Sequence, residues 1–230
     1  MAFSQSAVLV LEADIERLAD ENVTQYLMTQ AFLPGDQTLS SILDSDIYEL
    51  LAAACNEYGF SVDEISKLKP SMVINILTVL QFQKLGFVQQ GIDAYYLEKA
   101  KNQRKAISYL ESIEFQIDLL VTMGDGYEND YVLYSLQDME NVEKDFLPLL
   151  DEWKKGISSE MEASLTEMRE QSPDLYKTMV TDRNAAWMPQ IEEYLASGKV
   201  YFVIVGSAHL HGPDGLLWQL EASGCAVEYF

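Results

Sequence analysis

The chain has 230 residues and sets 37 acidic side chains against 15 basic ones, a formal net charge of −22 at neutral pH. Apolar residues make up 48% and aromatic residues 11%, enough to bury a substantial core and too many for a disordered tail. So acidic a surface repels nucleic-acid phosphates and anionic lipid, and no segment reaches the apolar length of a membrane span.

The elements follow in chain order. AVLVLEAD, Ala7 to Asp14, is a short Val/Leu run that predicts a buried strand with Glu12 near its carboxyl end. A helical pattern covers Ile15 to Phe32, and Pro34-Gly35 makes a turn before a helix starting near Thr38 or Ser40. Ile47, Leu50, Leu51 and Ala54 recur at helical spacing, with Gly59 as the stop. Two helices then meet at Lys69-Pro70, Pro70 lying in a first turn, and a loop runs from Gly86 to Gly91.

From Asp93 to Met123 the pattern is mostly helical, interrupted near Asn102. Ile107, Leu110, Ile113, Ile117 and Leu120 form an apolar stripe, and Glu111, Glu114 and Asp118 fall on another side. Further helices pass through Trp153, Met168 and Tyr176 to Ala196, capped near Gly198. The period changes at Val200: VYFVIVG predicts a second buried strand and the closing AVEYF a third. A helix beginning near Pro213 joins them, so that pair is expected to be parallel. The expected fold class is α/β, helix-rich, with a small central sheet formed by strands near the two sequence ends and a long helical middle. Residues 1–230 read as a single domain in which 38–196 are largely helical.

Cys55 and Cys225 show neither zinc-motif nor disulfide-framework spacing and read as two small buried hydrophobes. The opening MAFSQSAVLVLEAD lacks the basic head and cleavage pattern of a secretory signal.

His209 and His211 are the chain's only histidines, and they follow the second strand directly, beside a Gly-Pro-Asp-Gly turn. Ligands of open parallel sheets gather where strands end and helices begin, and Gly206 lets the chain approach a neighbour closely. The amino end of the next helix favours a neutral imidazole, which can ligate a metal or accept a proton. A hydrogen-bonded structural histidine at a strand end is the plain alternative, and spacing does not decide between them. His211 would share a face with His209 on extended chain, but the turn at Gly212 breaks that pattern.

VIVGSAHLHGPDGLLWQLEASGCAVE closely resembles the final motif of the TraB/GumN family, which includes the Tiki proteins. In that family a strand, Gly-x-x-His-Leu, Gly-x-x-Gly-Leu and a Gly before the last strand recur in this order. VLVLEAD, QTLSSIL, QGIDAYYLEKA, ISYLESIEFQ and DRNAAWMPQIEEYLASGKVYFVIVGSAH also match in sequence, over nearly the whole chain.

The resemblance implies a metal-dependent hydrolase or peptidase, related in fold to erythromycin-esterase-like and ChaN-like proteins. Tiki members are described as proteases, and plasmid-encoded members are linked to control of pheromone response. By position, Glu12 is the strand-end acid, His209 the second-motif histidine, and Arg183 with Asn184 the polar pair preceding the last sheet strand. Glu12 and His209 would face a divalent metal (Mn, Co or Zn), with Glu12 as ligand or general base and His209 as ligand or proton carrier. Arg183 would hold a substrate carboxylate or developing negative charge, and Asn184 would orient either group. The plain readings are a helix-capping Glu12 and a surface-paired Arg183. Asp93 and Glu111 lie in matching motifs, but a solvated helix face or local hydrogen bonding explains them as well. The implied partner is a peptide or other small ligand, and the implied setting is a bacterial cell envelope or periplasm.

One departure stands out: the family's earlier Gly-x-x-His does not occur, and AFSQSAVLVLEAD reads as starting inside the helix that follows it. Glu12 and His209 are then too few for a tight divalent site without water or a partner chain. A sheet without its first strand has an uncovered edge, which predicts a homodimer or a strand-mediated association. The competing expectation to hydrolysis is a non-enzymatic domain that sequesters a peptide, haem or other small ligand, and a plain interaction domain comes third.

Overall fold

The structure, a computed structural model, describes residues 2–87 and 91–228. A short helix α1 (Ala2–Gln5) buries Phe3 and leads into β1 (Val8–Leu11), every residue of which is buried. A 3-10 turn over Ile15–Ala19 precedes α2 (Glu21–Ala31). The Oγ of Ser41 accepts the N–H of Thr38 at 2.8 Å at the start of α3 (Leu39–Ile42), satisfying a donor that helix starts leave unpaired. Next come α4 (Ser45–Glu57) and α5 (Pro70–Lys84), the latter opened by Pro70, whose missing N–H costs nothing there. Then follow α6 (Ile92–Asn102), β2 (Ala106–Tyr109), α7 (Ile113–Val121), α8 (Glu128–Lys154) and α9 (Ser159–Gln171). The chain continues through α10 (Pro173–Tyr176), a π turn over Lys177–Thr181 and α11 (Asp182–Ala196). β3 (Tyr201–Val203), a 3-10 turn over Ser207–His209 and α12 (Leu216–Ala222) complete it.

Two compact units share these elements. The first comprises Met1–Asp14, Gly91–Ser112 and Lys144–Phe230. Among the described residues its sheet has three parallel strands in the order β2-β1-β3, with Val8 opposite both Ala106 and Tyr201. A central parallel strand is covered on both faces, which is why β1 reads as the unbroken apolar run VLVL. Trp187, Met188 and Ile191 of α11 pack with Leu216 of α12, and Leu165, Tyr176 and Val180 form another core cluster. Phe3, Tyr96 and Phe202 pack mutually in tilted and edge-on arrangements, with ring centroids 5.0 to 5.5 Å apart.

The second unit comprises Ile15–Gln90 and Ile113–Glu143. Its helices close on a core that includes Leu39, Ile47, Leu51, Val73, Leu77 and Val132. Arg17 pairs with Glu114 at 2.6 Å within it, and Tyr26 donates to Asp118 at 2.6 Å. Among the described residues no helix is long and apolar enough to cross a membrane.

The helix-rich α/β class, the small sheet with two of its strands, β1 and β3, near the chain ends, and the helical middle are observed. The identity of the third strand differs. Ala226–Glu228 adopts no regular structure, Tyr229 and Phe230 lie outside the described residues, and the strand completing the sheet is β2. α6 stops at Asn102 and Arg104 turns the chain at φ 54°, after which Ile107 and Tyr109 run extended beside β1. Ile107 and Leu110 matched the helical stripe by coincidence of spacing; the helix they seemed to begin starts at Ile113. The helix expected near Pro213 begins at Leu216. Of the loop expected from Gly86 to Gly91, residues 88–90 lie outside the described residues. Both cysteines are free thiols, but only Cys55 is buried; Cys225 is half-buried. Burial pushes the Cys55 thiol up to about 11.

Candidate functional site

The parallel sheet sends three carboxyl ends to one rim of the first unit. Glu12 immediately follows β1 and Glu111 lies two residues beyond β2. The main-chain N–H of Glu111 donates to the carbonyl of Glu12 at 2.9 Å, extending the ladder and setting the two acids side by side. Gly206 and the Ser207–His209 turn follow β3. The first turn of α11 brings Arg183 and Asn184 to the same rim, and Trp187 lies one turn further on.

Arg183 organises the cluster with all five of its N–H groups. Its Nε donates to Glu111 Oε2 at 3.1 Å, and its Nη2 to Glu111 Oε1 and to Glu12 Oε2, both at 2.6 Å. Its Nη1 donates to His209 Nε2 at 2.9 Å and to the carbonyl of Met179 at 3.4 Å. The pairing with Glu111 is the two-pronged guanidinium–carboxylate contact that only arginine can make. The Trp187 ring lies 4.8 Å from the guanidinium carbon and 4.4 Å from the His209 ring, and its Nε1 donates to Glu111 Oε2 at 3.1 Å. The side chains of Arg183 and Glu111 are 7% and 8% exposed, whereas Glu12 is 19% exposed and is the open end of the cluster.

His209 is buried, and a guanidinium can only donate, so its Nε2 is the accepting nitrogen. The proton therefore sits on Nδ1, which donates to Asn184 Oδ1 at 2.8 Å. Burial, and then the charge of Arg183, push the imidazole down to about 4, with Glu111 acting weakly the other way. Burial and the neighbouring guanidinium thus favour the neutral ring. Asn184 is fully buried, and its Nδ2 donates to the carbonyls of His209 at 3.1 Å and Asp214 at 2.7 Å. One amide thus sets the histidine tautomer and ties down the loop beyond it. That loop is tight: a Cβ on Gly215 would stand 2.5 Å from the carbonyl oxygens of Leu210 and His211.

Gly206 gives its N–H to Glu12 Oε1 at 2.6 Å. A Cβ there would meet Glu12 Oε1 at 3.4 Å and His209 Cδ2 at 3.7 Å, so the glycine occupies the space between acid and imidazole. Desolvation, followed by the charge of Glu12, holds the Asp93 carboxyl above the usual carboxylate range. His211 stands apart, its Nδ1 3.9 Å from Glu162. A cavity of about 370 Å³ in the second unit, lined by Leu50, Tyr58, Lys84 and Met139 among others, contains none of these residues.

Glu12, Arg183, Asn184 and His209, the four candidates named from sequence, are thus joined in one network. The sequence leaves Glu111 open between a family motif, a solvated helix face and local hydrogen bonding, and gives Trp187 no role. The available signal was the extended Ile-Ser-Tyr following the break at Asn102, which places Glu111 just past a strand end.

A divalent metal at Glu12 and His209 would need their lone pairs. The accepting nitrogen of His209, one oxygen of Glu12 and both oxygens of Glu111 already take protons from Arg183, and the other Glu12 oxygen takes one from Gly206. Among the described residues no three of His, Cys, Asp and Glu are disposed to hold a metal ion. This donor set, as arranged, does not fit a divalent ion.

Fold and cluster together define a helix-rich α/β domain with a buried carboxylate–guanidinium–imidazole network at the carboxyl rim of a small parallel sheet. The chain belongs to the TraB/PrgY/gumN family, whose model matches residues 1–229. It is 26% identical over 195 residues to the uncharacterized protein YbaP of Escherichia coli (strain K12), covering 83% of this chain and 71% of that one. The same figures hold for the uncharacterized protein YbaP of Shigella flexneri. No solved structure matches this chain.

Proposed function

We propose that the rim cluster is the centre of a hydrolase acting on peptides or other small amide substrates, with Glu12 as the group that activates water. The observation that carries this reading is the asymmetry of the cluster: Glu12 is its most accessible acid, yet it is gripped by Arg183 and Gly206, both at 2.6 Å. A carboxylate so fixed is held in one orientation at the open end of the cluster. Glu12 takes a proton from water as the water oxygen bonds to the substrate carbonyl carbon. It returns that proton to the leaving nitrogen as the carbon–nitrogen bond breaks. The positive charge of Arg183 favours the negative charge that gathers on the carbonyl oxygen. His209 is a positioning residue, because both ring nitrogens are committed to holding Arg183 and Asn184.

The test is hydrolysis of a mixed peptide library by wild type, Glu12→Gln and His209→Ala, each with and without added Mn²⁺, Co²⁺ or Zn²⁺. The reading predicts turnover that Glu12→Gln loses by at least about a hundredfold, the scale of general-base catalysis. Equal rates in all three proteins refute it.

A second reading has its own support. The network satisfies all five arginine donors and both histidine nitrogens internally. A rigid platform that binds a peptide or small ligand without turnover needs no more. Saturable peptide binding that Glu12→Gln abolishes, with no product formed by wild type, selects this reading over the first.

A further inference from the structure

We infer that Arg183 is the resident cation of this site: its guanidinium fills the position between Glu12, Glu111 and His209 and stands in for a divalent ion, and the chain takes up no metal there. The three groups offer five potential ligand atoms, and four of them point at one guanidinium: both oxygens of Glu111, one oxygen of Glu12 and the Nε2 of His209. The fifth, Glu12 Oε1, is held by the main chain of Gly206. Two carboxylates and a neutral imidazole converging from three segments is the chemistry of a small cation site. Here the cation is covalently part of α11.

The fit is specific in three respects. The guanidinium meets Glu111 with two parallel prongs, so a lysine would not reproduce it. The indole of Trp187 covers the guanidinium at 4.8 Å and donates to the same Glu111 oxygen, closing one side. Asn184 fixes the proton on His209 Nδ1, leaving Nε2 free to accept from Arg183. An ion entering this space would have to expel a 7% exposed guanidinium and leave its five donors unsatisfied. The inference concerns occupancy and holds whether or not the site turns a substrate over, so it stands or falls separately from the hydrolase reading.

The experiment is uptake of Co²⁺ and Zn²⁺ by the full chain, followed by equilibrium dialysis with metal analysis, by Co²⁺ absorption and by thermal denaturation. A net charge of −22 attracts divalent ions non-specifically, so the readout is the difference between proteins. Wild type and His209→Ala are expected to take up the same weak, non-stoichiometric metal and to show no Co²⁺–imidazole spectrum. Arg183→Met, with the guanidinium gone and the three ligand groups intact, is expected to gain one tightly held Co²⁺ per chain and a rise in melting temperature on Co²⁺ addition. Both gains are expected to vanish in Arg183→Met/His209→Ala. One equivalent of metal in wild type, lost on His209→Ala, overturns the inference, and this arm needs no Arg183 variant to fold. An Arg183→Met chain that folds by circular dichroism yet gains no ion over wild type overturns it as well.

Discussion

Removing the guanidinium tests the energetics of the cluster most directly. In Arg183→Met, Glu111 loses two charge-assisted hydrogen bonds and keeps the indole N–H of Trp187, while its side chain stays 8% exposed. Glu12 loses one and keeps Gly206, with water reaching its 19% exposed side chain. Breaking one side of a buried pair costs about 3–5 kcal/mol, mostly because a charge is left uncompensated, and here that charge is chiefly Glu111. Glu111→Gln keeps Trp187 and leaves Arg183 with Glu12, so it should cost about 1–3 kcal/mol. In the double variant the stranded charge is absent, and the two losses should fall short of their sum by about 2 kcal/mol, within the range measured for directly coupled residues. Urea denaturation of the four proteins at neutral pH and one fixed ionic strength gives the cycle, provided the slopes agree. Losses that add to within about 0.5 kcal/mol would mean that Arg183 and Glu111 do not depend on one another, and the account of the cluster as one electrostatic unit would fail.

Two further outcomes follow from the same geometry. His209 is held at about 4 in the folded chain against an ordinary 6.5, so between these values the unfolded state binds the extra proton. Its contribution is complete above pH 6.5 and is lost as pH falls towards 4, by about 3 kcal/mol in all; His209→Gln should lack this loss, and stability curves that run parallel for the two proteins across that window would contradict the assignment. Gly215→Ala puts a Cβ 2.5 Å from two main-chain oxygens of the loop that Asn184 ties down. It should cost about 1–3 kcal/mol, the usual penalty for overpacking, read as a lowered melting temperature, and an unchanged melting temperature would mean that the loop is slack.

What the sequence disclosed about this site, and what it concealed, divides at β2. β1 announces itself because a central parallel strand is apolar on both faces, and Glu12 is legible as the first polar residue beyond it. β3 is legible through the change of period at Val200, and His209 through its place just past that strand. Arg183 and Asn184 came from resemblance, since two polar residues in the first turn of a helix carry no signal of burial in themselves. Their roles come from partners 171 and 25 residues away in sequence, separations that periodicity does not reach.

Glu111 was concealed for a different reason. An edge strand of four residues spans too few positions to separate a period of two from one of 3.6. Ile107 and Leu110 stand three apart, which suits either reading until the chain's other end is placed beside it. The decision is tertiary: once β1 is central, its second edge needs a parallel neighbour, and the stretch between the break at Asn102 and the helix at Ile113 supplies it. Pairing Leu11 with Tyr109 carries Glu111 to the rim beside Glu12, and two adjacent carboxylates, that of Glu111 buried, call for a cation. Arg183 meets that requirement, which is why an acid whose role the sequence left open binds the guanidinium with both oxygens.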